Sequence, residues 1–393
     1  MLIISFDAVG DRELERLMQY PAFSEFAKQS ALFKGIPTLC PSNTYPIHTS
    51  VATGVLPNVH GLIANTKPFP DANPYWNFDE ADIKVKTLWQ AASERGIDVA
   101  AVFWPVTGYS KSIRYNIPEI MPRPGSSPLM TLFKAGSKGL LLKSALRHIK
   151  ILDGISQPSR DRFAAMCMAD ILREKNPGLA LMHLTAFDAL CHVNGIDSKE
   201  LDEAFESLDS NLALLLEAAG GDREIIIFSD HSHRNVHTSF DPNNMLVYSG
   251  LLKKGDDTYI FGEHGCYFEC CGGTAFLHAG SLSPEQIEKV RENTKSFGGF
   301  RRFLTEGEMH DSGYDHTAFG FSAEDGYGYF SLKKAHKADH GYPADMPEYT
   351  VFYMVRGNGF EPGSVTQGGS LLDIAPIVSE RLGLEGVGTA PNA

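Results

Sequence analysis

Residues 41–65 read PSNTYPIHTSVATGVLPNVHGLIAN. One hydroxyl, Thr44, stands between Pro41 and Pro46, and the small-residue run from Thr49 to Gly54 reads as the first turns of a helix. At a loop-to-helix junction the backbone N–H groups are free and the helix dipole favours negative charge. Such a place suits a phosphate or an ionised nucleophile. In the ordinary case a threonine there is only an N-cap. The chain to either side decides between the two.

Upstream, Leu2 to Phe6 is a short apolar run that reads as a buried strand, ended by Asp7. Residues 12–30 have helical periodicity, and 31–39 read as a second strand leading into the threonine loop. Downstream, helices are expected over 84–95, 159–175, 198–219 and 371–382. Strands are expected over 98–103, 179–184, 224–228 and 349–355. The 198–219 helix carries Leu201, Phe205, Leu208, Leu212 and Leu215 on one face. Strands alternating with helices, each strand nearly all apolar, predict an α/β fold: a mostly parallel central sheet with helices on both faces. Residues 110–155 look irregular, with Pro118, Pro122, Pro124 and Pro128, then turn basic and leucine-rich from Lys134 to Lys150. They read as an insertion. Residues 240–335 are polar, glycine-rich and aromatic, with short strands expected over 272–278 and 300–305, and read as a smaller inserted cap subdomain. The whole of 1–393 reads as a single catalytic domain.

The chain has 393 residues, 43% of them hydrophobic, enough for one large core. Its net charge of −13 argues against a grip on a nucleic-acid polymer. An acidic protein that handles phosphate needs local positive charge, and metal ions can supply it. No apolar run reaches transmembrane length, and no basic leader or cleavage site precedes Leu2. The expectation is a cytoplasmic chain with no membrane partner. The six cysteines make no paired CxxC array, so free thiols are expected rather than a zinc knuckle or disulfides.

Polar residues recur where strands stop: Asp7 after the first, Asp188 and His192 after 179–184, Asp230 and His231 after 224–228. In open α/β sheets, ligands sit outside the carboxyl ends of the strands. Five residues from three strands are therefore expected at one crevice. Oxygen and imidazole donors without cysteine suit zinc, or less specifically manganese or iron. Singly, each has an ordinary reading as a turn residue or a helix-surface pair.

In order along the chain, these segments resemble the alkaline phosphatase superfamily, and within it the nucleotide pyrophosphatase/type I phosphodiesterase family. The resemblance rests on Asp7; on Asn43-Thr44-Tyr45-Pro46 with Thr53-Gly54, Pro57 and His60-Gly61; and on Trp104-Pro105. It continues through Asp188…His192…Gly195, through Asp230-His231-Ser232 (serine where the family has glycine), and through His340-Gly341-Tyr342. It implies an alkaline-phosphatase-like fold and two divalent metal ions, zinc first and manganese as the alternative. Asp188, His192 and His340 would hold one. Asp7, Asp230, His231 and the Thr44 oxygen would hold the other. It further implies Thr44 as nucleophile, a phosphothreonine intermediate, and Asn65 as a donor to a phosphate oxygen beside a backbone N–H near Thr44.

The implied substrate is a small phosphate ester, a nucleotide among the candidates. Between Leu39 and Glu94 there is no arginine to hold a monoester's extra charge, which favours a diester or pyrophosphate. A phosphonoacetate-like phosphonate hydrolase or a phosphomonoesterase is the alternative. A phosphoglycerate mutase relative and a catalytically dead metal-binding protein fit less well. Trp76, Phe78, Trp104 and Tyr109 are candidates for an apolar wall, Trp104 being better read as core. His48, His60, His233 and His237 read as structural or substrate-adjacent, and His264, His316 and His336 as surface. Oligomeric state is left open.

Overall fold

A computed structural model describes residues 1–67, 75–121, 125–154, 156–256, 258–332 and 336–390. Pro122 and Pro124 of the proline-rich stretch lie outside the described residues. An eight-stranded sheet runs in the order Val365–Gln367, Ala31–Pro37, Thr350–Arg356, Ile225–Phe228, Leu2–Phe6, Leu179–Leu184, Val99–Val102, Tyr115–Ile117. Neighbours pair in parallel except at Thr350–Arg356, which is antiparallel to both its partners.

Four of these strands, Leu2–Phe6, Val99–Val102, Leu179–Leu184 and Ile225–Phe228, are buried at every position. A continuous apolar run encodes a strand covered on both faces. Alternation along Leu2–Phe6 then divides the core. Leu2, Ile4 and Phe6 pack with Ala164 and Met168 of the helix Ser159–Lys175 and with Leu208 and Leu212 of Leu201–Ala219. Ile3 points the other way, to Val51, Trp89 and Ile374 from three helices on the opposite face.

Local chemistry accounts for the departures from expectation. The helix expected from residue 84 begins at Leu88, because Thr87 and Gln90 form a capping box that fixes its start. The periodicity over 12–30 breaks into Asp11–Glu13, Leu14–Leu17 and Pro21–Lys28. Pro21 has no N–H to continue a helix and instead opens a new one. The stretch expected to be irregular supplies the edge strand Tyr115–Ile117 and two helices, Pro128–Ala135 and Lys138–His148. Within 240–349, a four-stranded antiparallel sheet (Tyr267–Cys270, Thr274–His278, Phe319–Ala323, Phe300–Phe303) has its own apolar cluster, which includes Phe268, Phe321, Tyr342 and Tyr349. Cys40, Cys167, Cys191, Cys266 and Cys271 are free thiols. Among the described residues, no helix is long and apolar enough to cross a membrane.

Glu13 marks a cost carried by this packing. Burial lifts its carboxyl from the usual 4.5 to about 7, although Arg12 stands 2.6 Å away. An acid whose folded pKa exceeds its unfolded value withdraws stability as pH rises from 4.5 to 7, and withdraws all of it above pH 7. Glu13→Gln is therefore expected to stabilise the protein by on the order of 1–3 kcal/mol at pH 8 and to leave it unchanged at pH 4. Thermal melts at the two pH values check this; the same shift at both would contradict it.

Candidate metal centre and active site

Three adjacent parallel strands deliver their carboxyl ends to one edge. Asp7 follows Leu2–Phe6, Asp188 lies in the helix Ala186–Asn194 after Leu179–Leu184, and Asp230 and His231 follow Ile225–Phe228. The antiparallel strand Thr350–Arg356 starts where these end, which brings His340, shortly upstream, to the same edge. A second antiparallel step restores the direction at Ala31–Pro37, so the loop after it carries Thr44 there too. The helix begins at Thr44 itself, earlier than its small-residue run suggested, and every residue from Thr44 to Thr53 is buried. Gly54 closes it at φ 71°, the left-handed conformation that glycine adopts without strain.

Four donor atoms converge at the helix start. Thr44 Oγ1 lies 3.2 Å from His231 Nε2, which lies 3.4 Å from both Asp7 Oδ1 and Asp230 Oδ2. Asp230 Oδ1 accepts from the Ala8 and His231 backbone N–H groups at 3.1 and 2.9 Å. Its Oδ2, like Asp7 Oδ1, is buried without a hydrogen-bond partner. A second group adjoins the first. Asp188 Oδ1 is 3.3 Å from His192 Nε2 and 2.8 Å from His233 Nε2. Asp188, His231 and His340 also offer donor atoms within 4.8 Å of one another. His192 Nδ1 donates to the Ala338 carbonyl at 2.9 Å, and His340 Nδ1 to the Ser42 carbonyl at 2.8 Å. Holding Nδ1–H on a carbonyl leaves the Nε2 lone pair for a Lewis acid.

Burial, then the Asp230 and Asp188 charges, push the Asp7 carboxyl well above its usual range. Burial lifts Asp230 to about 6 and lowers His231 to about 3. Burial also raises Asp188, but His192 and His233 outweigh it and hold that carboxylate well below its usual value. His192 is lowered by burial and raised further by Asp188, to about 10; a cation on Nε2 takes the place of that proton. Orphaned carboxylate oxygens beside imidazoles with oriented lone pairs fit divalent cations, and a donor set of oxygen and nitrogen without thiolate fits zinc or manganese.

All seven residues expected as ligands thus stand at this edge, with His233 an eighth. Asn65 Oδ1 accepts from the Tyr45 N–H at 2.8 Å, leaving its amide nitrogen as a donor. Ser232 fills room that Gly10 leaves: a Cβ on Gly10 would come within 2.5 Å of Ser232 Oγ. Gly341 has φ 83°, and a Cβ there would meet the Cys271 carbonyl oxygen at 1.6 Å. Trp104 is buried edge-on to His48 and belongs to the core. Trp76 packs edge-on to Tyr45 at 5.3 Å, and with Lys67, Phe78 and Tyr109 lines a cleft of about 400 Å³.

Several neighbours escaped the sequence reading. His183 lies 3.2 Å from Asp7 Oδ2 and 3.8 Å from Glu119 Oε2, and a histidine inside the apolar run Leu179–Leu184 was the signal for it. Asp339 accepts from His336 at 2.8 Å, and the His336 ring stands 4.1 Å from His192; His336 itself is exposed, as expected, at the rim of the crevice. Ser42 Oγ accepts from the Gly341 N–H at 2.9 Å and shares a 2.7 Å hydrogen bond with the Tyr349 hydroxyl, tying the Thr44 and His340 loops together.

Residues 1–311 match the type I phosphodiesterase/nucleotide pyrophosphatase family model. The chain belongs to this family. It is 22% identical over 252 residues to venom phosphodiesterase CdcPDE of Crotalus durissus collilineatus, covering 57% of this chain and 26% of that protein. It is 23% identical over 222 residues to ectonucleotide pyrophosphatase/phosphodiesterase family member 1 of Mus musculus, covering 54% of this chain and 21% of that protein. The chain thus spans about a quarter or less of these relatives' length. Against bis(5'-adenosyl)-triphosphatase ENPP4 of Pongo abelii it is 21% identical over 98% of this chain and 78% of that protein. Murine ENPP5 superposes with a TM-score of 0.69 at 16% identity, over 100% of this chain and 97% of that one, and an inactive variant of it has been solved in complex with AMP. At that identity the likeness shows the fold, which is the expected alkaline-phosphatase-like one. The family is metal-dependent, and the clustered carboxylates and imidazoles here are candidate metal-binding groups.

Chelation with EDTA is expected to lower the Tm by roughly 5–10 °C, and added zinc to restore it, since a cation bound only by the folded state stabilises it. An unchanged melting curve would mean that this edge holds no cation.

Proposed function

We propose that this chain hydrolyses phosphodiester or pyrophosphate bonds of a small nucleotide-like substrate, through a phosphothreonine intermediate at Thr44. One observation carries the reading: Thr44 Oγ1, at a helix N-terminus, is 3.2 Å from His231 Nε2, in the nest that holds the unpartnered Asp7 and Asp230 oxygens. Asp7, Thr44, Asp230 and His231 would hold one divalent cation, and Asp188, His192 and His340 another, with zinc the best match to the donors. We add His233 to the second set on its 2.8 Å approach to Asp188. When bound, the pair lowers the pKa of the Thr44 hydroxyl and neutralises phosphoryl charge.

Three carboxylates and an alkoxide give four negative charges against two dications, and the neutral imidazoles complete the shells without adding charge. Thr44 Oγ gives up its proton to solvent and attacks phosphorus as the leaving oxygen departs in line and takes a proton from water. The Asn65 amide and the Thr44 N–H hold the non-bridging oxygens. Water then cleaves the new O–P bond and frees Thr44. We assign a base or nucleoside to the Trp76–Phe78–Tyr109 cleft; the name of ENPP4 and the AMP complex of ENPP5 support a nucleotide. A second reading, monoester or phosphonate hydrolysis, draws on Arg160. This arginine donates to Thr185 Oγ1 at 2.9 Å and is the main opposing charge on Glu119.

Rates on bis-p-nitrophenyl phosphate, p-nitrophenyl phosphate and phosphonoacetate separate these readings, and the diester is expected to be fastest by about tenfold or more. Thr44→Ala is expected to lower turnover by on the order of a thousandfold or more with its Tm kept; an active Thr44→Ala enzyme would sink the mechanism. His233→Ala is expected to weaken metal retention by roughly 10–100-fold, read as metal per chain after dialysis against graded chelator. Unchanged retention would remove His233 from the ligand set.

A further inference from the structure

One segment that the catalytic reading leaves unused is the most lopsided in composition. Between Glu119 and Asp153 the chain has no carboxylate at all, on a protein of net charge −13. Along the helix Lys138–His148 one face is buried and another presents an apolar stripe to solvent. Leu141, Ser144 and His148 are buried against the domain. Leu142, Leu146 and Ile149, at i, i+4 and i+7, form the stripe, which is 55–79% exposed. Leu129 and Met130 of the preceding helix are also more than half exposed. A surface helix needs an apolar stripe only toward its own domain; one facing water asks for something to cover it.

The charges around the stripe say what. Lys143 and Arg147 pair with Glu174 and Asp170 and so fasten the helix to Ser159–Lys175. Lys134, Lys138 and Lys150 have no ion pair among the described residues. Beside the helix, a cleft of about 390 Å³ is lined by Arg114, Lys138, Lys143 and Lys175 against two acids, Asp170 and Glu174. A second copy is a poor occupant, because a two-fold contact would set the same lysines against one another. A protein partner is disfavoured too: the exposed apolar groups are leucine, isoleucine and methionine without an aromatic, and protein interfaces are depleted in lysine.

We propose that the helices Pro128–Ala135 and Lys138–His148 dock the protein on an anionic lipid surface. The exposed leucines and Ile149 enter the headgroup–acyl boundary, and the free lysines and the cationic cleft meet the headgroup phosphates. Such docking needs no spanning helix, and it stands whether or not the chain hydrolyses phosphodiesters.

The test is flotation of the full chain with phosphatidylcholine vesicles, with and without phosphatidylglycerol. At about fivefold per free lysine, a preference for anionic vesicles on the order of 100-fold is expected, lost at high salt. The triple substitution Leu142→Ser, Leu146→Ser, Ile149→Ser should weaken binding by at least about tenfold with the Tm unchanged, because these side chains face solvent. The proposal is overturned by no binding, by equal binding to neutral vesicles, or by a triple variant that binds like the parent. It is also overturned by a concentration-dependent dimer in sedimentation velocity that the triple variant dissolves, which would make the face a contact between copies of the chain.

Discussion

Three carboxylates held at one sheet edge set the terms for this molecule. Asp7, Asp188 and Asp230 each raise the proton affinity of a neighbour. Two unit charges 4 Å apart near a protein surface repel by about 4 kcal/mol. Unbalanced, that repulsion would open the edge or leave the carboxyls protonated. The surrounding structure makes it an attraction for cations instead. One Asp230 oxygen is pinned by two backbone N–H groups while the other is left bare. His192 and His340 are each held through Nδ1 on a carbonyl. A cation bound there would relieve that repulsion, so metal affinity and folding stability would share one source.

Holding that geometry requires stiff supports, and the sheet supplies them through its one reversal. If Thr350–Arg356 ran parallel to its neighbours, the segment entering it would lie at the opposite edge, and His340 with it. Running antiparallel, it brings His340 next to His231, where the rings stack at 4.1 Å. Ser42 then ties the His340 loop to the Thr44 loop, and Gly341 permits the close pass beside Cys271 that the tie demands. Thr44 and His340 come from distant parts of the sequence, yet one serine bridges their loops.

The sequence made the frame legible because fully buried strands leave no polar position to blur them: Leu179–Leu184 appears with the boundaries expected, and Leu2–Phe6 likewise. The strand-end residues were legible for the same reason, since a carboxylate directly after an apolar run stands out. What escaped was set by partners far along the chain. His183 looks like a core histidine until Asp7 and Glu119 are seen on either side of it. His233 gains its part from Asp188, and Asp339 from His192. Capping boxes and proline starts were readable but under-used, which is why the helix ends near residues 20 and 88 moved.

Charge near Thr44 shows best how chain spacing misleads. No arginine stands between Leu39 and Glu94, yet the helix Ser159–Lys175 brings Arg160 to Thr185, next to the crevice. It faces two buried carboxyls, Asp161 and Glu119, and burial lifts Glu119 to about 8 even with Arg160 beside it. At neutral pH the Glu119 carboxyl therefore holds its proton for most of the time and leaves Asp161 as the acid that faces the guanidinium. On the reading proposed above, the edge then carries one more positive charge than residues 39–94 suggest. A simple diester has one negative charge and no use for it. A pyrophosphate linkage or a monoester carries a second, which cations bound at this edge and the guanidinium beyond it would help to balance.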